Sequence, residues 1–201
     1  MLRMRRQAKW CWIVVAIIAT TSGSYAYWYT HRYKHFAVHE SGMVYRSAWV
    51  EPDVFSELIE KHQIRTIINL CEPGEMGDAR WDGQRAAVRG AGAQLLELPM
   101  PRTINAEDPA VTEYLDVLKN PDNYPLLVHC QHGVTRTAKL LALYDIAFRG
   151  MSARDSLQRM PLFGRRDHNV AVKAFATGVE TTYHEKAEQL ARHLDPLHQV
   201  H

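Results

Sequence analysis

The chain has 201 residues, enough for one domain of ordinary size and a short additional segment. Hydrophobic residues make up 46% of the sequence and charged residues 23%, a composition that argues against intrinsic disorder and fibrous repeats. The 24 basic and 22 acidic side chains nearly cancel, whereas nucleic-acid-binding domains are usually strongly basic, so no nucleic-acid partner is expected.

The N-terminal 30 residues have the pattern of a membrane anchor. Four basic residues precede the apolar run 10–19, and aromatic residues cluster at 25–29. Residues 10–29 together approach the ~20 residues that a helix needs to cross a bilayer, and aromatic residues favour both interfaces. We therefore predict one transmembrane helix within residues 1–30, with the membrane as a partner.

The charges predict the orientation of this helix. Basic residues before the apolar run favour a cytoplasmic N-terminus, so the catalytic domain would be periplasmic or extracytoplasmic, at the inner membrane of a bacterium. A cleaved signal peptide is the alternative, because the apolar core alone has ten residues and Ser24-Tyr25-Ala26 suits a cleavage site. The aromatic cluster favours the retained anchor.

After a basic linker at 31–39, residues 40–195 are predicted to form one domain. Short apolar runs alternate there with amphipathic stretches, which is the pattern of an α/β fold. The predicted strands occupy 43–46, 64–70, 94–98 and 125–129. The predicted helices occupy 52–62, 81–89, 108–118 and 137–148, a segment that begins at Ser152, and one or two further helices within 167–194.

The cysteine and histidine patterns argue against a metal site. Cys11, Cys71 and Cys130 lack the paired spacing of a structural zinc site and are too few for a disulfide framework. The 11 histidines are scattered, and no two of them lie four residues apart inside a predicted helix. We therefore predict that the histidines are solvated or packed side chains and that no metal is bound.

The strongest functional pattern is HCQHGVTRT, residues 129–137, between a predicted strand and a predicted helix. The thiolate is the nucleophilic form of cysteine, and the unpaired N–H groups of a helix N-terminus would favour that form of Cys130. The same N–H groups would cradle phosphate, Gly133 would let the loop turn back, and the planar fork of Arg136 would hold two phosphate oxygens. Thr137 would donate its hydroxyl to the sulfur and improve the sulfur as a leaving group. The predicted phosphate-binding residues are Gln131, His132, Gly133, Val134, Thr135 and Arg136.

This loop resembles the H-C-x-x-G-x-x-R-[ST] signature of the protein tyrosine and dual-specificity phosphatases. The segments GMVYRSA, IRTIINLCEPGE, YPLLVHC and AFRGMSARDSLQRM are similar to atypical dual-specificity phosphatases of bacteria, plants and fungi, so the resemblance covers about residues 38–165. It implies a mostly parallel sheet of four or five strands flanked by helices, a phosphocysteine intermediate on Cys130 and phosphate binding by Arg136. It also implies phosphoprotein or small phosphoester substrates, and no metal or organic cofactor.

The general acid of that family is harder to place. The family uses an upstream aspartate to protonate the leaving oxygen, but residues 99–106 contain no carboxylate. Asp108 and Glu107 are the nearby candidates, and Asp108 is also predicted to cap a helix that starts at Pro109. Without a placed acid, hydrolysis would favour aryl phosphates and phosphoanhydrides, whose leaving groups need less help from a proton.

Three further interpretations stay open. In a related lipid phosphatase, a cysteine in the context of Cys71 can form a disulfide with the nucleophile, so the resemblance suggests Cys71 as a redox partner of Cys130; a small buried thiol is equally consistent. A catalytically weak module that captures phosphorylated ligands would suit the missing acid. A sulfurtransferase also uses a cysteine loop, but Arg136 and Thr137 suit phosphate and argue against it.

Overall fold

The structure is a computed structural model that describes residues 2–161, 169–183, 186–187, 190 and 192–194, without the side chains of residues 2–11 and 13. Five strands form one sheet in the order β1-β2-β5-β3-β4, in which all neighbours are parallel except β1 and β2. The strands are β1 (Ala37–Glu40), β2 (Val44–Ala48), β3 (Thr66–Asn69), β4 (Gln94–Glu97) and β5 (Leu126–Cys130). The predicted α/β fold with a mostly parallel sheet flanked by helices is therefore confirmed.

The helices form two groups around this sheet. α2 packs against α3, while α5 packs against α4, α6 and α7. The described helices are α1 (Leu2–Tyr33), α2 (Pro52–His62), α3 (Asp78–Gly90), α4 (Val111–Lys119), α5 (Thr135–Arg149), α6 (Ala153–Arg159) and α7 (Val170–Tyr183), with a 3-10 turn at Pro121–Asn123. Because β2, β3 and β5 are buried along their whole length, the two groups cover opposite faces of the sheet.

Several helix boundaries differ from the predicted ones. α4 begins at Val111 rather than next to Pro109, and α5 begins two residues before the predicted start at 137. Ser152 caps α6 as predicted, since its hydroxyl accepts from the N–H of Asp155 at 3.0 Å. The helical segment predicted at 167–194 contains α7, and part of its remainder lies outside the described residues.

The N-terminal helix α1 does not support the predicted transmembrane span. Along the described part of the chain, no helix is long and apolar enough to cross a membrane. The physical reason lies in the sequence: the apolar run stops at residue 19, and residues 20–24 are two threonines, two serines and a glycine. This polar stretch lowers the mean hydropathy of any window that extends past residue 19.

The segment predicted as a linker is ordered and attached to the domain. It comprises the end of α1 and strand β1. Arg32, in the last turn of α1, pairs with Asp53 at 2.9 Å and with Glu57 at 2.8 Å, both on α2. Lys34 pairs with Glu51 at 2.9 Å, just before α2 begins. These contacts fix the direction in which α1 leaves the domain.

A buried carboxylate holds α5 in place. Asp145 lies on α5 with no solvent exposure, and the polar oxygens of a buried side chain need hydrogen-bond donors. It accepts from His39 Nε2 at 2.8 Å, from Ser156 Oγ at 2.8 Å and from Arg159 Nη1 at 2.9 Å. These contacts join β1, α5 and α6, so they hold the helix that carries Arg136 in position.

Candidate active site

The predicted nucleophile lies at the carboxyl edge of the sheet. Cys130 is the last residue of β5, the central strand, and α5 begins at Thr135. Ala48 is the register partner of Cys130, and the N–H of Leu70 donates to the carbonyl of His129 at 2.9 Å. The ends of β2 and β3 therefore flank the loop, and ligands of α/β folds bind at this edge.

Gly133 lets this loop pass close to β2. Its φ is +63°, in the left-handed region. A Cβ atom at this position would lie 2.5 Å from the carbonyl oxygen of Ser47 and 2.6 Å from the nitrogen of Ala48. The carbonyl of Gly133 accepts from Arg46 Nη2 at 2.6 Å. Burial lowers the pKa of Arg46 to about 10, so a charged guanidinium fixes the loop at neutral pH.

The Cys130 thiol is surrounded by donors. Its burial raises the pKa, but hydrogen bonds from the Thr137 hydroxyl and from the N–H groups of Thr137 and Gly133 lower it, as does the charge of Arg136. The lowering contributions prevail, and the pKa of Cys130 lies below its ordinary value. The hydroxyl oxygen of Thr137 is 3.2 Å from the sulfur, as expected for a group that supports a thiolate.

A buried chain of amides supports the residue before the nucleophile. Gln84 Nε2 donates to His129 Nε2 at 2.6 Å, and Asn69 Nδ2 donates to Gln84 Oε1 at 3.0 Å. The N–H of Cys71 donates to Asn69 Oδ1 at 2.9 Å. Burial lowers the pKa of His129 to about 3, so its imidazole is neutral at physiological pH. This row of hydrogen bonds therefore aligns the ends of β3 and β5 without adding a charge.

Arg136 lies in the first turn of α5 with 2% of its surface exposed. Its Nη1 donates to the carbonyl of Leu70 at 3.0 Å and to Glu75 Oε2 at 2.7 Å. Burial lowers the pKa of Arg136, but the hydrogen bond with Glu75 and the charge of Cys130 raise it by more. The net shift of the pKa is therefore upward. The guanidinium is therefore a permanent cation beside the sulfur.

A cleft of about 530 Å³ opens above the loop. Five predicted site residues line it: Cys130, His132, Val134, Thr135 and Arg136. The lining also includes two residues that the sequence analysis did not single out, His35 and Arg102. None of the described lining residues is acidic. A larger cavity of about 750 Å³ lies at the opposite end of the strands, near Arg65 and Pro125, and its described lining contains neither a thiol nor an imidazole.

Asp108 and Cys71, two further predicted residues, lie in different places. Asp108 is absent from the described lining of the cleft, and its carboxylate accepts from the N–H of Ala110 at 3.0 Å in the turn before α4. Cys71 is buried two residues after the end of β3, and burial raises the pKa of its thiol to about 12. The charge of Cys130 contributes to that rise, so the two sulfurs interact electrostatically.

Three residues that the sequence analysis missed also hold the loops of the site. His35 Nδ1 donates to the carbonyl of His132 at 2.8 Å, and Arg102 Nη2 donates to Gln131 Oε1 at 3.4 Å. Lys139 Nζ, inside α5, donates to the carbonyl of Arg102 at 2.7 Å. Lys139 had a recognisable signal, because it is the one basic residue of the largely apolar predicted helix 137–148. His35 and Arg102 had none, because their roles depend on contacts between distant segments.

The known proteins that this chain is similar to are phosphatases. A family described as "DSP-PTPase phosphatase fused to NAD+ Kinase" matches residues 35–178. The inositol diphosphatase DSP4 of Arabidopsis thaliana is 30% identical over 111 residues, which are 53% of this chain and 52% of that protein. The dual specificity protein phosphatase TpbA of Pseudomonas aeruginosa is 29% identical over 144 residues, 70% of this chain and 61% of TpbA. The chain thus spans less than two thirds of these relatives.

Solved structures share the fold. The core catalytic domain of the PP-IP phosphatase SIW14 from Saccharomyces cerevisiae, in complex with citrate, superimposes with a TM-score of 0.60 at 21% identity, covering 82% of this chain and 93% of that one. A cysteine-to-serine variant of Pseudomonas aeruginosa TpbA, in complex with phosphotyrosine, gives a TM-score of 0.55 at 23% identity, with 77% and 87% covered.

Proposed function

Because this chain belongs to the DSP-PTPase family of phosphatases, we propose that it hydrolyses phosphomonoesters through a phosphocysteine intermediate on Cys130. The observation that carries the proposal is the environment of the sulfur. A thiol whose pKa is lowered by Thr137, Gly133 and Arg136 sits in the cleft, and such a thiol forms the nucleophilic thiolate more readily than an ordinary cysteine does.

The reaction proceeds in two displacements. The sulfur of Cys130 attacks phosphorus, the bond from phosphorus to the leaving oxygen breaks, and that oxygen departs as an anion, which then takes a proton from solvent. Water then attacks the phosphocysteine, the sulfur–phosphorus bond breaks, and inorganic phosphate is released. Arg136 and the N–H groups of residues 131–136 stabilise the equatorial oxygens in both steps, and Thr137 stabilises the departing thiolate.

The charge distribution of the cleft favours substrates with a good leaving group. No described lining residue is a carboxylic acid, and Asp108 lies elsewhere. A leaving oxygen that departs without a proton must have a low pKa of its own, as a phenolate or a phosphate does. We therefore favour phosphotyrosine-like aryl phosphates and small phosphoanhydrides. The names of the relatives, a dual specificity phosphatase and inositol diphosphatases, span both classes.

Hydrolysis of p-nitrophenyl phosphate by the full chain, followed from about pH 5 to pH 8, tests this proposal. We expect turnover that is abolished by Cys130→Ser and retained by Cys11→Ser, a matched change at a cysteine outside the loop. Equal rates for Cys130→Ser and the wild type would remove Cys130 as the nucleophile and the mechanism with it.

The absence of an acid from the described lining also supports a second candidate, a binding module that captures phosphorylated ligands without turnover. The same preparation separates the two functions. If inorganic phosphate protects Cys130 from alkylation while p-nitrophenyl phosphate remains intact at every pH, the chain is a binding module. The extracytoplasmic location of the domain stays a prediction, which fractionation of cells expressing the full chain would test.

A further inference from the structure

We propose that Arg102 is a catalytic residue of the first displacement, in which its guanidinium stabilises the negative charge that develops on the leaving oxygen. This inference rests on the proposed phosphatase function and deepens it, because it names a group that takes the place of a proton donor. Arg102 lies in the loop between β4 and α4 and lines the cleft.

The leaving oxygen needs stabilisation because the electron pair of the broken bond stays on it. A carboxylic acid would supply a proton, but residues 99–106 contain no carboxylate, and none of the described lining residues is acidic. A cation beside the oxygen stabilises the same charge without transferring a proton. A guanidinium suits this role, because it stays charged at every pH of an enzyme assay.

The exposure of Arg102 suits the leaving oxygen better than the transferred phosphoryl group. The attacking and leaving atoms lie roughly in line in phosphoryl transfer, so the leaving oxygen is on the side of phosphorus away from the sulfur. Cys130 and Arg136 are buried, with 3% and 2% of their surface exposed, whereas the side chain of Arg102 is 61% exposed. Arg102 therefore lies toward the solvent-exposed side of the cleft, where the leaving group departs.

Two long contacts keep the guanidinium at the cleft. Arg102 Nη2 donates to Gln131 Oε1, in the residue after the nucleophile, at 3.4 Å, and it is 3.6 Å from Glu75 Oε1. Charge-assisted hydrogen bonds are usually about 2.7–2.9 Å long, so both contacts are weak. Both also use the same nitrogen, and the other nitrogens of a guanidinium carry further N–H bonds. Arg102 can therefore donate to a ligand oxygen while it stays next to Gln131.

The backbone of Arg102 is fixed by a buried cation. Lys139, on α5 with 1% of its surface exposed, donates from Nζ to the carbonyls of Arg102 at 2.7 Å and Ile104 at 2.8 Å. The start of the same loop is held by the hydroxyl of Tyr114, which donates to the carbonyl of Pro99 at 2.8 Å. Burial lowers the pKa of Lys139, and its two carbonyl acceptors offset part of the cost of burying it. These contacts fix the loop beside the helix that carries the phosphate-binding arginine.

The test measures kcat/KM of the full chain for phenyl phosphate and for p-nitrophenyl phosphate. Phenol is a weaker acid than p-nitrophenol, so its anion depends more on stabilisation as it leaves. The variants are Arg102→Ala, Arg102→Lys and the control Arg89→Ala. Arg89 is an exposed arginine in the last turn of α3 and lies outside the described lining of the cleft. Circular dichroism checks that each variant keeps the wild-type fold.

We expect Arg102→Ala to lower kcat/KM about 100-fold for phenyl phosphate and about tenfold or less for p-nitrophenyl phosphate. Arg102→Lys keeps the charge, so it should recover part of the loss on phenyl phosphate, and Arg89→Ala should match the wild type on both substrates. The substrate dependence is decisive, because a residue that held only the transferred phosphoryl group would affect both substrates alike.

Losses in Arg102→Ala that are absent, equal for the two substrates or larger for p-nitrophenyl phosphate overturn the proposal. A wild type that hydrolyses p-nitrophenyl phosphate but not phenyl phosphate overturns it as well, since its leaving oxygen would then lack effective stabilisation. Failure of the proposed function looks different: the wild type would hydrolyse neither substrate, or Cys130→Ser would be as active as the wild type, and the role of Arg102 would be lost with it.

Discussion

Replacing Gly133 by alanine tests how closely the phosphate loop (residues 130–136) must approach β2. A left-handed φ costs an alanine about 1–2 kcal/mol. Gly150 has nearly the same φ, +62° against +63°, and the Cβ added by Gly150→Ala meets nothing within 4 Å. The Cβ of Gly133→Ala meets backbone atoms of Ser47 and Ala48 at 2.5 and 2.6 Å. Relief of that overlap by a backbone shift costs about 1–3 kcal/mol more.

We therefore expect Gly133→Ala to lower the free energy of unfolding by about 2–5 kcal/mol, against about 1–2 kcal/mol for Gly150→Ala. Urea unfolding of the two variants, followed by circular dichroism, measures the difference. The loop must also shift in Gly133→Ala, so kcat/KM for p-nitrophenyl phosphate should fall about 100-fold, while Gly150→Ala keeps the wild-type value. Equal losses of stability, with normal kcat/KM in both variants, would refute the argument from close approach.

Three further expectations concern single side chains of the site. Thr137→Val removes a hydrogen bond that lowers the pKa of Cys130, so the pH profile of iodoacetamide alkylation should move to higher pH; an unchanged profile would contradict the assigned role. Asp108→Asn keeps an acceptor for Ala110, so the ratio of aryl to alkyl phosphate hydrolysis should stay constant, and a rise in that ratio would identify Asp108 as the general acid. Mild peroxide should produce a faster-migrating band on non-reducing electrophoresis in the wild type and none in Cys71→Ser; identical mobility would remove Cys71 as a redox partner.

The sequence predicted the parts of the site that depend on local chain geometry. The apolar strand before Cys130, the glycine within the loop and the helix after it are neighbours in sequence, so their spacing alone implies a strand–loop–helix turn. Arg46 was not predictable in this way. It contacts Gly133 across 87 residues, and its position in β2 gave no indication that it would be buried beneath the loop. The same holds for Glu75, whose partners lie in α5 and in the loop after β4.

The N-terminal prediction was not supported for a related reason. Basic residues, an apolar run and aromatic residues each fit a membrane span, but the prediction built on them did not take account of the polar residues at 20–24. The linker prediction, drawn from composition, also missed that Arg32 and Lys34 have acidic partners on and next to α2. Charge composition indicates solvent exposure only where no partner of opposite charge lies nearby.

The end of α1 determines where this domain can be cut. The carbonyl of Lys34 accepts from the N–H of Ala48 at 2.7 Å, beside the point where Gly133 passes β2, and His35 bonds to the carbonyl of His132. A fragment that starts at residue 40, the predicted domain boundary, would lack both contacts and nearly all of the edge strand β1. Its phosphate loop would lose two backbone supports although every residue of the loop was present. A truncated form that keeps both contacts must therefore begin at or before Lys34.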